Sequence, residues 1–217
     1  ASNMFQNCSN LSSFDSDLSS LTDASNMFQN CSNLSSFDSD LSSLTNSYYM
    51  FEKTNLETWD IPMPNLKDCY RMFYDCKNLK SITLDMSSAT GSISEMFWSC
   101  NKIEEANITG LHKDVGLREC RLTIDGTKQF LENLETTSKN TSNLTMTLGV
   151  SLDAFCDAEL RAKYGWTTTN KKFKVTAPTG KTWEITLAQQ AVGNFKSDGL
   201  SDLVDGSSFC SVDEDLI

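Results

Sequence analysis

The chain has 217 residues, a formal net charge of −11 and 39% hydrophobic residues, which include 12 Phe and 4 Trp. This apolar content is sufficient for a folded core. The acidic balance, without any Lys/Arg cluster, argues against nucleic-acid binding, which needs a basic surface for counterion release. No run approaches the 18 apolar residues of a membrane-spanning helix, so we expect no membrane insertion.

The first 46 residues contain one sequence twice. Residues 1–23 read ASNMFQNCSNLSSFDSDLSSLTD, and residues 24–46 differ from them only in Asn46, which stands in place of Asp23. The chain starts inside such a copy, with neither an initiator Met nor a signal peptide, which indicates either processing or a longer protein. Because the first copy carries no polar cap, we expect further repeats or another subunit to cover its apolar edge.

A Met-Phe pair marks five copies of about 23 residues. The pairs are Met4-Phe5, Met27-Phe28, Met50-Phe51, Met72-Phe73 and Met96-Phe97. Three residues beyond each Phe stands Cys8, Cys31, Thr54, Cys76 or Cys100. A Leu or Ile and a further apolar residue follow at steps of about three, which gives the consensus MFxxCxxLxxΦ, where Φ is apolar. A fixed period of 20 to 29 residues is typical of a solenoid.

The spacing within one copy predicts where its residues point. A segment of 23 residues cannot bury an apolar face alone, so each copy needs its neighbours as its core. After the Cys, alternating apolar residues such as Leu79, Ile82 and Leu84 predict a short strand with these side chains inside. Strands stacked about 4.8 Å apart form a parallel sheet. The Met-Phe-x-x-Cys segment predicts a compact turn or short helix on the opposite side.

The repeating cysteines have two interpretations. Cys is a small buried residue that fits a narrow packing position, and Thr54 at one of these positions agrees with packing. A disulfide between adjacent copies, from Cys8 to Cys31 or from Cys76 to Cys100, is also compatible with the spacing of stacked strands. Zinc is not expected, because the sequence has no CxxC motif and His112 is the only His.

The MFxxCxxLxxΦ motif resembles the BspA-like leucine-rich repeats of bacterial surface proteins and gut phage proteins, over residues 1 to about 111. A second stretch, TMTLG at 145–149 with KYGWT at 163–167, is similar to the closing unit of such arrays in phage and prophage proteins. In that closing unit the second motif reads K-GW-T, and here Tyr164 is inserted. The resemblance implies a curved, non-enzymatic solenoid that serves adhesion or recognition.

Strands and helices are predicted to alternate after the repeats. They are a strand at 120–125, a helix at 126–139, a strand at 143–149, a helix at 151–166 and a β-hairpin at 171–188. Residues 189–217 predict an acidic tail, which either orders against a partner or stays loose. The fold class is therefore an α/β solenoid: a leucine-rich-repeat stack with a parallel β-sheet on one face, an α/β closing unit and a C-terminal hairpin. We divide it into repeats at 1–111, irregular strand-helix repeats at 112–170, and hairpin and tail at 171–217.

No catalytic chemistry is indicated. The GKT at 180–182 is no phosphate-binding loop, since Val175 stands where that loop requires Gly and a strand follows. His112 lies in an irregular loop without a nucleophile beside it in sequence. The acidic residues match no calcium-loop spacing. We expect no enzyme, no cofactor and no resident metal.

A ligand would meet the outward face of the strands. Two columns of side chains form a polar ribbon there: Ser13, Ser36, Thr58, Ser81 and Glu105 in the first, and Asp15, Asp38, Asp60, Thr83 and Asn107 in the second. Hydroxyls beside carboxylates suit a sugar, a polar protein patch or a divalent cation, although such residues are also ordinary strand surface.

A second candidate is aromatic. Tyr48, Tyr70, Tyr74 and Trp98 fall on the turns of the central and later copies, where the first two copies carry only Ser and Gln. Exposed aromatic side chains concentrate binding energy, but they can equally pack against neighbouring turns.

Together with these surfaces, the family resemblance implies a recognition or adhesion module displayed outside the cell, on a cell surface or a phage virion such as its tail, that binds a host glycan or protein. The alternative is a structural spacer or decoration protein, which docks through its tail or its first copy to a larger assembly.

Overall fold

A computed structural model describes residues 1–138 and 141–188. The predicted tail, 189–217, lies outside the described residues. The fold is built from repeats with small parallel sheets and few helices. Within the described residues no helix is both long and apolar enough to cross a membrane.

Each copy contributes one short strand. The strands are β1 Ser13–Phe14, β2 Ser36–Phe37, β3 Thr58–Trp59, β4 Ser81–Asp85 and β5 Glu105–Thr109. Strand β1 pairs in parallel with β2, and β3, β4 and β5 form a second parallel sheet in that order. We number the copies 1 to 5 from their starts at residues 1, 24, 47, 69 and 93.

The Met-Phe-x-x-Cys segment, which we call the turn side, forms a second ladder between copies. It is a series of tight turns in which every other N–H donates to the following copy, as from Phe28 to Met50 (2.9 Å) and from Phe51 to Met72 (2.9 Å). Two residues of each copy, four positions apart, take a left-handed backbone conformation, with φ between 54° and 64° at these ten non-glycine positions. The predicted compact turn is thus confirmed.

Two aromatic ladders fill the interior. Five Phe rings stack almost parallel along the copies with centroid separations of 5.4 to 5.7 Å, in the order Phe5, Phe28, Phe51, Phe73 and Phe97. A second ladder of Phe14, Phe37 and Trp59 meets the first edge-on or tilted. Offset and edge-on ring pairs add to the free energy gained from burial. The predicted inward residues Leu79, Ile82 and Leu84 are buried.

The cysteines of the repeats pack as free thiols in the structure. Cys31, Cys76 and Cys100 are buried, Cys8 is exposed, and all four are free thiols. The adjacent-copy disulfides that the sequence left open are therefore not formed.

The chain changes structure after copy 5. A 3₁₀ helix at Leu117–Glu119 leads into α1, Ile124–Thr136, whose N-cap Thr123 accepts a hydrogen bond from the Gly126 N–H. The strand expected at 120–125 is wrong: of these residues only Leu122 forms a β-bridge, an isolated parallel one to Val150. The N-capping hydroxyl of Thr123 starts the helix at Ile124.

The closing unit alternates as predicted, with one correction. Its elements are β6 Leu144–Leu148, α2 Leu152–Cys156, α3 Ala158–Tyr164, β7 Lys172–Thr176 and β8 Thr182–Leu187. The single helix expected at 151–166 is two helices, because Asp157 leaves helical geometry and caps α3 by accepting from the Leu160 N–H. The hairpin of β7 and β8 is confirmed, and β8 also pairs in parallel with β6.

Candidate functional site

The two predicted columns lie on the outward face of the strands. Nine of the ten side chains are exposed and Ser81 is half-buried, whereas the residues between them, such as Trp59 and Ile82, are buried. The strand register aligns Ser13 with Ser36, and Thr58 with Ser81 and Glu105. Thr83 and Asn107 also pair directly. We call these ten residues the polar ribbon.

The strand ladder is interrupted in the middle of the polar ribbon. Strands β2 and β3 belong to different sheets, although the turn sides of copies 2 and 3 stay joined by the bond from Phe28 to Met50. Copy 3 has one residue fewer between Thr54 and Leu56 than copy 2 has between Cys31 and Leu34. The shortened segment turns back to copy 2, where the Asn55 N–H donates to the Leu34 carbonyl (2.9 Å).

A groove of about 540 Å³ opens at this interruption. Asp38 and Asp60 line it on the polar side, and Leu41, Ile61 and Pro62 provide apolar surface. Pro62 and Pro64 also line the groove, and neither has an N–H to donate to copy 2. Ser39 also lines the groove, and its hydroxyl is buried without a hydrogen-bond partner among the described residues.

The charges of the ribbon differ along its length. No Lys or Arg in the described part of the chain forms an ion pair with Asp15, Asp38 or Asp60. Beside the ribbon in copy 3, Lys80 bonds to Glu57 (2.9 Å), and this hydrogen bond lowers the pKa of Glu57 and raises that of Lys80. The ribbon carboxylates Asp15, Asp38 and Asp60 carry no such ion pair within the described residues.

Helix α1 packs against β5 at the far end of the ribbon. The side-chain amide of Asn133 in α1 donates to the side-chain Oδ1 of Asn107 (3.0 Å), so this ribbon residue already has a partner. Gly126 lets α1 approach closely, since a Cβ there would lie 2.2 Å from the Glu104 carbonyl oxygen. In the C-terminal half of the ribbon, Asn107 is thus already engaged within the fold.

The predicted aromatic patch is largely packed on itself. The rings of Tyr48 and Tyr70 lie 5.9 Å apart, and the Arg71 guanidinium lies 5.1 Å from the Tyr70 ring and 4.7 Å from the Tyr74 ring. Arg71 also forms an ion pair with Glu95 (2.6 Å). Trp98 remains 38% exposed, so the patch divides into a packed cluster and one open indole.

Reactive or metal-binding clusters are not found in the described ranges, where no three His, Cys, Asp or Glu side chains are grouped to hold a metal ion. Burial raises the pKa of the Cys76 thiol to about 11 and raises that of Cys100 well above its usual value. A protonated, buried thiol is a poor nucleophile, so these cysteines are structural.

The repeat region identifies the protein family. The model of the BspA type leucine-rich repeat region matches residues 1–118 in six copies. The chain belongs to the BspA-type leucine-rich repeat family. Comparison with curated proteins and with solved structures found no match.

The family model counts one copy more than the Met-Phe alignment. In the turn-side ladder Val115 stands where Met would be, since its carbonyl accepts from the Phe97 N–H (3.1 Å).

Membership of the BspA-type family indicates a general class of function. The family is associated with surface adhesion and protein binding, and its repeats are typically non-enzymatic. Its proteins are usually found at the cell surface or secreted.

The groove was not predicted, although the sequence carries a signal for it. Leu56 is offset by one residue from the repeat, and two prolines follow within eight residues. Together these features mark a copy that cannot continue the strand ladder of its neighbour.

Proposed function

We propose that this chain is a non-enzymatic recognition module that binds a host-surface glycan or protein through the N-terminal half of the polar ribbon. The observation that carries the proposal is the groove between copies 2 and 3, where Asp38 and Asp60 lie beside apolar surface. Carboxylate oxygens accept hydrogen bonds from sugar hydroxyls or protein donors, and Ile61 and Pro62 can pack against a ligand's apolar face.

The display of the module follows from its family. We propose an extracellular location, on a cell surface or on a virion such as a phage tail, and a curved right-handed solenoid as the overall shape. In that shape the polar ribbon lies on the concave side, where a ligand contacts several copies at once.

The experiment is a binding screen of the purified chain against an array of glycans and host-surface proteins. Wild type is compared with the double variant Asp38→Asn, Asp60→Asn, which removes both groove carboxylates at nearly constant shape. The matched control, Asp153→Asn with Glu159→Gln, removes two carboxylates from α2 and α3. We expect ligands that wild type and the control bind and the groove variant loses.

A structural spacer or decoration role is the second candidate, favoured by the repetition of residues 1–23 at 24–46 with Asn46 as the one change. If the chain binds nothing on the array and is stably incorporated into a larger particle, these results support the structural role instead.

A further inference from the structure

The groove between copies 2 and 3 is lined by acidic side chains that have no cation beside them. Asp38, Asp40 and Asp60 line the groove, and all three are exposed. None of the three forms an ion pair with a Lys or Arg in the described part of the chain. Asp40 accepts one hydrogen bond from the Ser42 N–H (2.7 Å), within its own turn.

The surroundings of the groove are also acidic. Residues 1–51 contain five acidic residues and no Lys or Arg; the five are Asp15, Asp17, Asp23, Asp38 and Asp40. In later copies, by contrast, carboxylates meet cations of the neighbouring copy, as Glu57 meets Lys80 (2.9 Å). An anionic ligand would be repelled by this region, a neutral one would gain no charge attraction, and a cationic one would be attracted.

An independent feature of the groove is the buried hydroxyl of Ser39. Ser39 lines the groove and is only 8% exposed, and its hydroxyl has no hydrogen-bond partner among the described residues. A buried polar group without a partner is unfavourable, and a bound molecule can satisfy it. The groove volume of about 540 Å³ far exceeds the roughly 30 Å³ of one water molecule. It therefore has room for a ligand side chain.

The apolar part of the groove fits an aliphatic stem. Ile61 is half-buried, and Pro62 and Pro64 are exposed. Lys and Arg side chains lay their aliphatic stems on apolar surface while the charged head stays in polar surroundings. The guanidinium of Arg also offers five N–H donors in a plane, which suits carboxylate acceptors better than an ammonium does. Carboxylates beside an apolar wall thus match an arginine side chain.

We propose that the groove binds an arginine side chain from a basic segment of a partner protein. The guanidinium donates to the carboxylates of Asp38 and Asp60 and to the hydroxyl oxygen of Ser39. Its aliphatic stem packs on Ile61 and Pro62. This inference rests on the proposed recognition role and names the ligand class for the same groove, a cationic polypeptide and not a glycan.

The test is an NMR titration of the full chain, labelled with ¹⁵N, with the short capped peptide acetyl-Gly-Ser-Arg-Leu-Arg-Ser-Gly-amide. A second peptide carries citrulline in place of both arginines, which keeps the shape of the side chain and removes its charge. We expect shifts at the N–H groups of the groove residues. We expect the arginine peptide to bind at least about tenfold more tightly than the citrulline peptide.

Three variants locate the binding. Asp38→Asn with Asp60→Asn should weaken binding of the arginine peptide by at least about tenfold. The matched control, Asp153→Asn with Glu159→Gln, removes the same amount of charge from α2 and α3. It should bind like wild type, which separates the groove from general attraction to an acidic chain.

The third variant is Ser39→Ala. It should weaken peptide binding by about threefold or more without lowering the melting temperature, because the hydroxyl has no partner in the described chain.

Equal affinity for the arginine and citrulline peptides would overturn the inference. Equal peptide affinity of wild type and the groove variant, or of wild type and Ser39→Ala, would also overturn it. A neutral glycan that wild type binds and the groove variant loses, without arginine-dependent peptide binding, would overturn the inference and support the proposed function. The proposed function fails on a separate result, when no glycan or protein on the array distinguishes wild type from the groove variant.

Discussion

The thiol of Cys100 donates a hydrogen bond to the carbonyl oxygen of Phe73, one copy earlier, over 2.9 Å. The same bond joins Cys76 to Phe51 and Cys31 to Phe5, each over 3.0 Å. Each of these Phe carbonyls therefore accepts two hydrogen bonds. One comes from the thiol of the following copy, and the other comes from a backbone N–H in the turn of its own copy. Cys is therefore suited to the position because it is small, apolar and a weak donor.

Cys8 and Cys31 offer a matched test of this packing, since the residues around them are identical. The Cys31 thiol is buried, and burial raises its pKa, whereas Cys8 is exposed. The thiolate is the reactive form. We expect a thiol reagent at pH 8 to modify Cys8 at least about tenfold faster than Cys31, as measured by mass spectrometry of peptides. In urea the two rates should converge, and equal rates in the folded chain would contradict the stacked arrangement.

The left-handed turn positions give a stability prediction. Lys53 has φ 57°, while the equivalent residues of copies 1 and 2, Asn7 and Asn30, are Asn, which tolerates this conformation. We expect Lys53→Asn to raise the free energy of unfolding by about 1 kcal/mol. The reverse change in copy 2, Asn30→Lys, should lower it, and it also removes the hydrogen bond from Asn30 to Asn7 (2.9 Å). Urea denaturation of both variants measures the effect, and a common sign would contradict it.

Trp59 tests the second aromatic ladder. Its ring lies 5.7 Å from that of Phe37, but its indole N–H is buried without a partner among the described residues. A buried unpaired donor costs about 1 to 3 kcal/mol. We therefore expect Trp59→Phe, which restores the residue of copies 1 and 2, to change stability by less than about 1 kcal/mol.

Trp59→Ala should cost about 3 to 5 kcal/mol, because it removes the ring from the ladder. Thermal melting of the two variants distinguishes these outcomes. Equal losses would mean that the indole N–H has a partner.

The repeat fold could be predicted because its pattern is local and recurs. Met, Phe and Cys at fixed spacing identify the buried ladder, and alternation identifies which strand residues face outward. The interruption beside Leu56 was not predicted, since one missing residue changes the pairing of two copies without changing the apolar pattern. The start of α1 at Ile124 was not predicted either. Residues 120–125 have a strand-like sequence, but the N-cap at Thr123 starts the helix there. The polar ribbon was located correctly on the outward face, but its groove depends on pairing that no single copy encodes.

The aromatic residues on the turn side give a further prediction. Tyr74 packs beneath Arg71, whereas Trp98 is 38% exposed. We expect Trp98→Ala to leave the melting temperature nearly unchanged and Tyr74→Ala to lower it modestly. If the open indole contributes to a binding surface, Trp98→Ala weakens ligand binding at constant stability. A large loss of stability in Trp98→Ala would show that this residue packs as part of the fold.

In the proposed function, the groove carboxylates Asp38 and Asp60 of the polar ribbon bind a host ligand. The most direct measurement is the Kd of a ligand found on the array, for wild type, for Asp38→Asn with Asp60→Asn, and for Asp153→Asn with Glu159→Gln. Losing hydrogen bonds to two charged acceptors should weaken binding by at least about tenfold, with the control close to wild type and all three melting temperatures similar. Equal affinity of the groove variant and wild type would contradict the claim.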